Sequence, residues 1–260
     1  TLLQGKYSQS IADDCVYSRG TPHSADYAAT GTHVDDLLSI GTTTGLDHLR
    51  STLESKFEIV ADMNPSDITG VQIVRDRPNK WLKLHQAAYI DEMLTEFNMT
   101  ECNPVDTPMD PGTAKVLMEL DLADEGTRDE KVVKRYRQLV GSLIWLYRTR
   151  IDMLYAINLA ARFLHAPTQK HLDLVLGRTL RYLKGSKFWG ITFVGGGSLS
   201  AQSDAAFADD LRSCRSTRGH FLRLGKYGII SANCTLERKI CTSTQHSETY
   251  ALGNACRDIE

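Results

Sequence analysis

The sequence predicts an α+β chain assembled from two or three modules. Strand-like runs flank Asp35-Asp36 and continue through Ile68, Val71 and Ile73, amphipathic stripes of helical period fill the middle, and strand patterning returns after Gly195-Gly196-Gly197. At 260 residues, 42% of them hydrophobic, the chain can bury a sizeable core and exceeds the roughly 100–200 residues of one ordinary domain.

Taken in order, Thr32-His33-Val34-Asp35-Asp36-Leu37-Leu38-Ser39-Ile40-Gly41 reads as a hairpin with its tight turn at Asp35-Asp36. A helix is expected near Leu46 to Phe57, then strands carrying Ile68, Val71 and Ile73. Arg75 to Lys80 supplies Asp, Pro and Asn for a turn before Trp81-Leu82-Lys83-Leu84. Tyr89, Ile90, Met93, Leu94 and Phe97 fall on one stripe of a helix, a pattern that marks core. Residues 102–130, with Pro104, Pro108, Pro111 and Gly112 followed by acids, read as an extended linker.

Beyond it, 132–147 and 149–165 are expected to be helices, the second opened by Thr149-x-x-Asp152 in a capping-box-like arrangement. Pro167 breaks the chain. A third helix runs from about Thr168, with Leu172, Val175, Leu176, Leu180 and Leu183 as its buried stripe and Gly185 as its stop. Gly195-Gly196-Gly197-Ser198 is a joint, because no phosphate-loop Lys-Ser/Thr follows it. Strands at 199–204, 219–224 and 227–234 and a helix from about Ser247 complete the chain.

Composition narrows the function classes. No apolar stretch approaches the roughly 18 residues of a membrane span, so a soluble chain is expected. The absence of Met at position 1 suggests that Thr1 lies inside a longer polypeptide. Cys15, Cys102, Cys214, Cys234, Cys241 and Cys256 lack the pairing and density of a disulfide scaffold and read as reduced thiols. Cys234, Cys241 and His246 match no common zinc spacing.

A net charge of −2 is unusual for a nucleic-acid binder, yet the charges are segregated. Acids gather through Asp91, Glu92, Glu96, Glu101, Asp106, Asp110, Glu119, Asp121, Asp124 and Glu125. Arg212, Arg215, Arg218, Arg223 and Lys226 form a stretch without an intervening acid. That stretch either faces phosphate or is a solvated face.

Asp35-Asp36 is the most informative pair. Adjacent carboxylates repel, and burying one without a partner costs several kcal/mol. A hard divalent cation with oxygen ligands would remove both problems; a solvated hairpin tip would avoid them.

Asp13-x-Cys15-Val16-Tyr17, His33-Val34-Asp35-Asp36 and Ile68-Thr69-Gly70-Val71-Gln72-Ile73 resemble, in order, the Asp-x-Cys-Leu-Tyr, Tyr-x-Asp-Asp and Leu-Gly-Ile stations of the Ty1/copia-type retrotransposon reverse transcriptase. Later stations are similar too: Pro104-Val105-Asp106-Thr107-Pro108, Tyr136 through Gly141-Ser142-Leu143, Thr149-Arg150-x-Asp152, Arg181-Tyr182-Leu183-Lys184-Gly185, Ser203-Asp204-Ala205, Arg215-Ser216-Thr217-x-Gly219 and Ser247-Glu248. The resemblance spans nearly the whole chain.

It implies a distal reverse-transcriptase palm over 1–84, a mainly helical thumb and connection over 85–192, and the first half of a truncated RNase H-like module over 193–260. It further implies catalytic, metal-binding roles for Asp35, Asp36, Asp204 and Glu248 around Mg²⁺ or Mn²⁺, with Arg212, Arg215 and Arg218 as the nucleic-acid contacts. The implied partners are an RNA template, a DNA primer, an RNA–DNA hybrid and the remainder of a Pol polyprotein, in a cytoplasmic or nuclear setting without a membrane.

The chain departs from the family at several places. His33 stands for Tyr, Ala206 and Phe207 for Asp and Trp, and His246 and Thr249 for Glu and Tyr. None of Asp13, Asp14 and Asp26 suits the upstream third carboxylate, and Asp258 shares the helix of Glu248, a poor position for a further ligand. The expectation is therefore a segment that is inactive alone, with a non-catalytic nucleic-acid-binding or scaffold module as the alternative. An unrelated metal-dependent phosphohydrolase using Asp35 and Asp36 is a remote third class.

Overall fold

A computed structural model describes residues 2–120, 122 and 128–259. Asp121, Asp124 and Glu125 of the acidic cluster lie outside the described residues. The chain divides into two compact units, one reaching to Thr69 and one starting at Gly70.

The N-terminal unit is an antiparallel meander of β1 (Ser8–Gln9), β2 (Val16–Arg19), β3 (Ala28–His33) and β4 (Asp36–Gly41), paired in sequence order. Helix α1 (Thr43–Glu54) packs on β3 and β4, and β5 (Asp67–Ile68) closes the unit. The helix starts ahead of the expected Leu46 because Thr42 caps it, accepting the Gly45 N–H at 3.1 Å. Gly45 is required there: a Cβ would stand 2.1 Å from the Tyr27 carbonyl oxygen. Tyr7, Ala28 and Leu49 form a small core. Beside it Arg19 meets Asp26 at 3.3 Å and the His48 ring of α1 at 2.6 Å, so Arg19 and its cross-strand partner Ala28 face α1.

The C-terminal unit begins with β6 (Val71–Asp76) and β7 (Trp81–His85), followed by α2 (Ala87–Glu96), α3 (Pro111–Glu119) and α4 (Glu130–Leu146). A 3₁₀ turn at Ile151–Met153 leads into α5 (Leu154–Ala161) and then α6 (Gln169–Gly185). The chain finishes with β8 (Gly190–Val194), β9 (Leu199–Ala206), β10 (Thr217–Leu224), β11 (Gly228–Leu236) and α7 (Thr244–Ile259). Strand β8 pairs antiparallel with β7, and β9, β10 and β11 form a second antiparallel sheet covered by α7.

The main core is helical. Ile90, Met93 and Leu94 of α2 meet Leu117 of α3, Tyr136, Leu139, Val140 and Leu143 of α4, Leu159 of α5, and Val175, Leu180 and Leu183 of α6. The apolar stripes expected for α2, α4 and α6 are thus the ones buried.

Four expectations need correction. The presumed linker contains α3, because Asp110 accepts the Thr113 N–H at 3.0 Å and Pro111 occupies the first helical turn. The helix expected over 149–165 is broken into a 3₁₀ turn and a short α5. Its opening is no capping box: Thr149 Oγ1 is hydrogen-bonded to the Gln86 amide at 2.9 Å, and Asp152 is taken by Arg150. The division falls at Thr69, ahead of the expected boundary at 84, since β7 is held by β8 from beyond the helices.

Arg150 is wholly buried. Its Nε and one terminal nitrogen grip Asp152 at 3.0 and 2.7 Å. Its remaining donors reach the Ser186 carbonyl at 3.1 Å and Ser186 Oγ at 2.7 Å, while Tyr182 donates to Asp152 at 2.6 Å. A buried guanidinium stays charged, so loss of either side leaves an uncompensated group. Arg150→Met is expected to lower the unfolding free energy of this unit by about 3 kcal/mol. Urea unfolding followed by tryptophan emission checks this, since Trp81, Trp145 and Trp189 all lie in the unit; an unchanged midpoint would refute it.

A true capping box does occur at α6. Thr168 N–H donates to His171 Nδ1 at 3.2 Å, and His171 N–H donates back to Thr168 Oγ1 at 3.4 Å. Accepting at Nδ1 requires a neutral ring. Burial, and then the nearby Arg212 charge, hold the His171 pKa down to about 4 from 6.5. Between those values the unfolded chain binds a proton that the folded chain refuses, so stability falls as pH drops from 6.5 toward 4. His85, lowered mainly by burial, acts in the same direction. Unfolding free energies measured from pH 7 to pH 4 should decline, and His171→Gln should flatten the decline; an identical slope in the variant would exclude His171 as its source.

Candidate carboxylate centres and basic loop

In the N-terminal unit, β3 and β4 present Asp35 and Asp36 at their hairpin tip. His33 pairs with Asp36, so the turn residues are Val34 and Asp35, one position earlier than the sequence suggested. Val34 takes φ +55°, the left-handed region that a β-branched side chain resists. Strand alternation puts Asp36, His33, Leu38 and Ile40 on the face away from Ala28, Thr30 and α1. Asp35, Asp36 and His33 are exposed.

Neither Asp35 nor Asp36 has a hydrogen bond or ion pair printed by geometry within the described residues. Exposure therefore removes the burial penalty that made the pair look costly in the sequence. Val34 is 95% exposed, so Val34→Gly forfeits no packing and relieves a left-handed residue. The variant should stabilise the N-terminal unit by about 0.5–1 kcal/mol. Hydrogen exchange across β3 and β4 reads it, and faster exchange in the variant would count against strain at the tip.

In the C-terminal unit, Asp204 lies on β9 opposite Gly219 of β10, and Glu248 lies in the second turn of α7. The neighbouring pair, Ser203 and His220, marks the other sheet face, because His220 Nε2 contacts Asp258 of α7 at 2.7 Å. Asp204 is thus on the face away from α7, and the two acids approach one another only around the edge of β9. Asp258, weighed in the sequence as a further ligand, is instead the partner of His220.

The loop between β9 and β10 is ordered by side chains from both sides. Asp209 accepts the Thr217 N–H at 2.6 Å and the Thr217 hydroxyl at 2.7 Å. Arg162 of α5 donates to Asp210 and to Thr217 Oγ1, each at 2.9 Å. Burial pushes the Asp210 carboxyl up, but its bonds to Ser213 and the Arg162 charge outweigh this and hold it below the usual range. The sequence suggested Arg215 as the partner of Asp209 or Asp210; the arginine that fills that place is Arg162. No local signal in the sequence marks a partner so distant.

The three expected phosphate contacts differ in availability. Arg212 donates to the Met118 carbonyl at 3.0 Å and to the Leu120 carbonyl, and Arg218 pairs with Glu237 at 2.6 Å. Arg215 is exposed, and its guanidinium has no acceptor among the described residues.

Each candidate centre therefore supplies two carboxylates. Among the described residues, no group of three His, Cys, Asp or Glu side chains is placed to hold a metal ion. That donor set falls short of what Mg²⁺ requires.

A family model described as reverse transcriptase (RNA-dependent DNA polymerase) matches residues 1–111. The chain is 31% identical over 259 residues to a retrovirus-related Pol polyprotein from transposon TNT 1-94 of Nicotiana tabacum, covering 97% of this chain and 19% of that protein. It is 32% identical over 262 residues to the corresponding polyprotein from transposon RE1 of Arabidopsis thaliana, covering 100% of this chain and 17% of that protein. An uncharacterized mitochondrial protein of Arabidopsis thaliana, AtMg00810, is 31% identical over 231 residues, 87% of this chain and 91% of that protein. This chain spans less than a fifth of the two polyproteins. No solved structure matches it significantly.

The mixed helix and sheet architecture, the carboxylate-tipped hairpin and these likenesses define a reverse-transcriptase-like region of a retrotransposon Pol polyprotein. Within that class, the chain belongs to the Ty1/copia-type family.

Proposed function

We propose that the chain is the part of a Ty1/copia-type Pol polyprotein running from the end of the polymerase palm through thumb and connection into the first half of an RNase H domain. The parent activity would be RNA-directed DNA synthesis together with cleavage of RNA–DNA hybrids. The observation that carries this is Asp36 on the helix-free face of an antiparallel sheet, at a hairpin tip and without a protein partner among the described residues. The order of β9, β10, β11 and α7, with Asp204 on the first strand and Glu248 on the helix, supports the second half of the reading.

In this reading Asp35, Asp36, Asp204 and Glu248 are part of two Mg²⁺ or Mn²⁺ donor sets, and the metal would supply Lewis-acid chemistry only where further carboxylates complete them. The 260 residues alone are catalytically silent and act as a nucleic-acid-binding module. Asp36 contributes a carboxylate toward a primer end, Asp204 and Glu248 carboxylates toward a hybrid, and Arg215 a guanidinium toward phosphate.

Primer extension on RNA and cleavage of an RNA–DNA hybrid, each with Mg²⁺ or Mn²⁺, should give no turnover. Robust activity abolished by Asp36→Asn or Glu248→Gln would overturn the silence. Hybrid binding should weaken steeply with salt, and Arg215→Ala should lower the salt slope by about 1. Absence of binding at low salt would remove the binding reading.

A further inference from the structure

The C-terminal unit carries a second surface, separate from the carboxylates and the basic loop. At its floor, His85 at the end of β7 meets the Phe188 ring edge-on, with centroids 6.2 Å apart and planes at 76°. Lys187 Nζ lies 5.2 Å from the Phe188 centroid while it pairs with Asp91 at 2.9 Å. Next to His85, buried Gln86 accepts the Trp145 indole N–H at 3.3 Å and donates to the Leu146 carbonyl at 3.2 Å. The Arg148 guanidinium covers the Trp145 ring at 3.8 Å. Strand alternation puts Lys83 on the same face as His85.

Both rings are held from behind yet open in front. Phe188 is 60% exposed and Trp145 37%, although rings of this size usually repay burial in a core. Each has a cation beside it. Arg148 and Lys83 have no carboxylate partner among the described residues, so their charge is available to an anion.

We propose that this row binds a single strand of nucleic acid, RNA or DNA, with bases stacked on Phe188 and Trp145 and phosphates held by Arg148 and Lys83. An apolar peptide would use the rings but not the cations. A duplex would use the cations but not the rings, since only unstacked bases offer their faces. The single strand is the occupant that uses both.

The test uses the whole chain with labelled ten-nucleotide oligo(U) and oligo(dT), read by anisotropy and by quenching of tryptophan emission. Both strands should bind at low salt and quench, and a blunt duplex of equal length should not displace them. Phe188→Ala should weaken binding about tenfold, and Phe188→Tyr should restore it. Arg148→Ala should lower the slope of log affinity against log salt by about 0.7.

Hybrid binding by the Arg215 loop should be unchanged in Phe188→Ala, so the failure of either reading is seen separately. The proposal is overturned if neither oligonucleotide binds, or if a Phe188→Ala protein with unchanged melting binds them as tightly as the unaltered chain. It is equally overturned if Phe188→Ala acts by dissolving a dimer in sedimentation, which would make the row a contact between copies.

Discussion

The buried guanidinium of Arg150 constrains the rest of the C-terminal unit. A group that cannot lose its proton must find acceptors for its donors wherever it is enclosed. Asp152 supplies two and Ser186 supplies a carbonyl and a hydroxyl, which ties the exit of α4 to the far end of α6. From that fixed point the chain turns at Trp189, whose N–H donates to the Ser186 carbonyl at 2.8 Å, and enters β8. Strand β8 can then lie against β7 at Gly190, where a Cβ would sit 1.9 Å from the Leu84 carbonyl oxygen. One ion pair and one missing side chain thus return the chain, after the whole helical bundle, to the hairpin it left.

Local periodicity made the long helices legible. The stripes of α2, α4 and α6 repeat within a few residues, and each is buried along the side its spacing predicts. Strand β8 was invisible for the opposite reason: its partner residues are Trp81 to His85, more than a hundred positions away. Helix α3 did leave a signal, Asp110 before Pro111, but the density of prolines around it favours an extended reading. Thr149-x-x-Asp152 misled because a cap and an ion pair demand the same carboxylate. The sequence does not say that Arg150 is the arginine with no water around it, and that fact decides the competition.

The same distinction sorts the candidate site. Arg212, Arg215 and Arg218 look alike in a run of cations, yet two of them are committed to acceptors on α3 and β11 that lie far along the chain or across a sheet. The hairpin tip was legible because its residues are contiguous. Only its register was off, since a valine in the left-handed region is the less natural choice and Asp35-Asp36 the more natural turn.

Partnering separates the acids of this chain into two kinds. Asp152, Asp209 and Asp210 each accept at least two bonds from guanidinium, hydroxyl or backbone N–H, and the structure around them depends on their charge. Asp35, Asp36, Asp204 and Glu248 accept none among the described residues. An unpartnered surface carboxylate costs little and contributes little to folding, so the fold would tolerate its replacement by any polar residue. What recommends these four is position: two at a strained tip on an open sheet face, and two flanking the edge of a second sheet. Structural acids are explained once their donors are found. Those whose placement is defined but whose charge is unspent are the ones that call for a ligand.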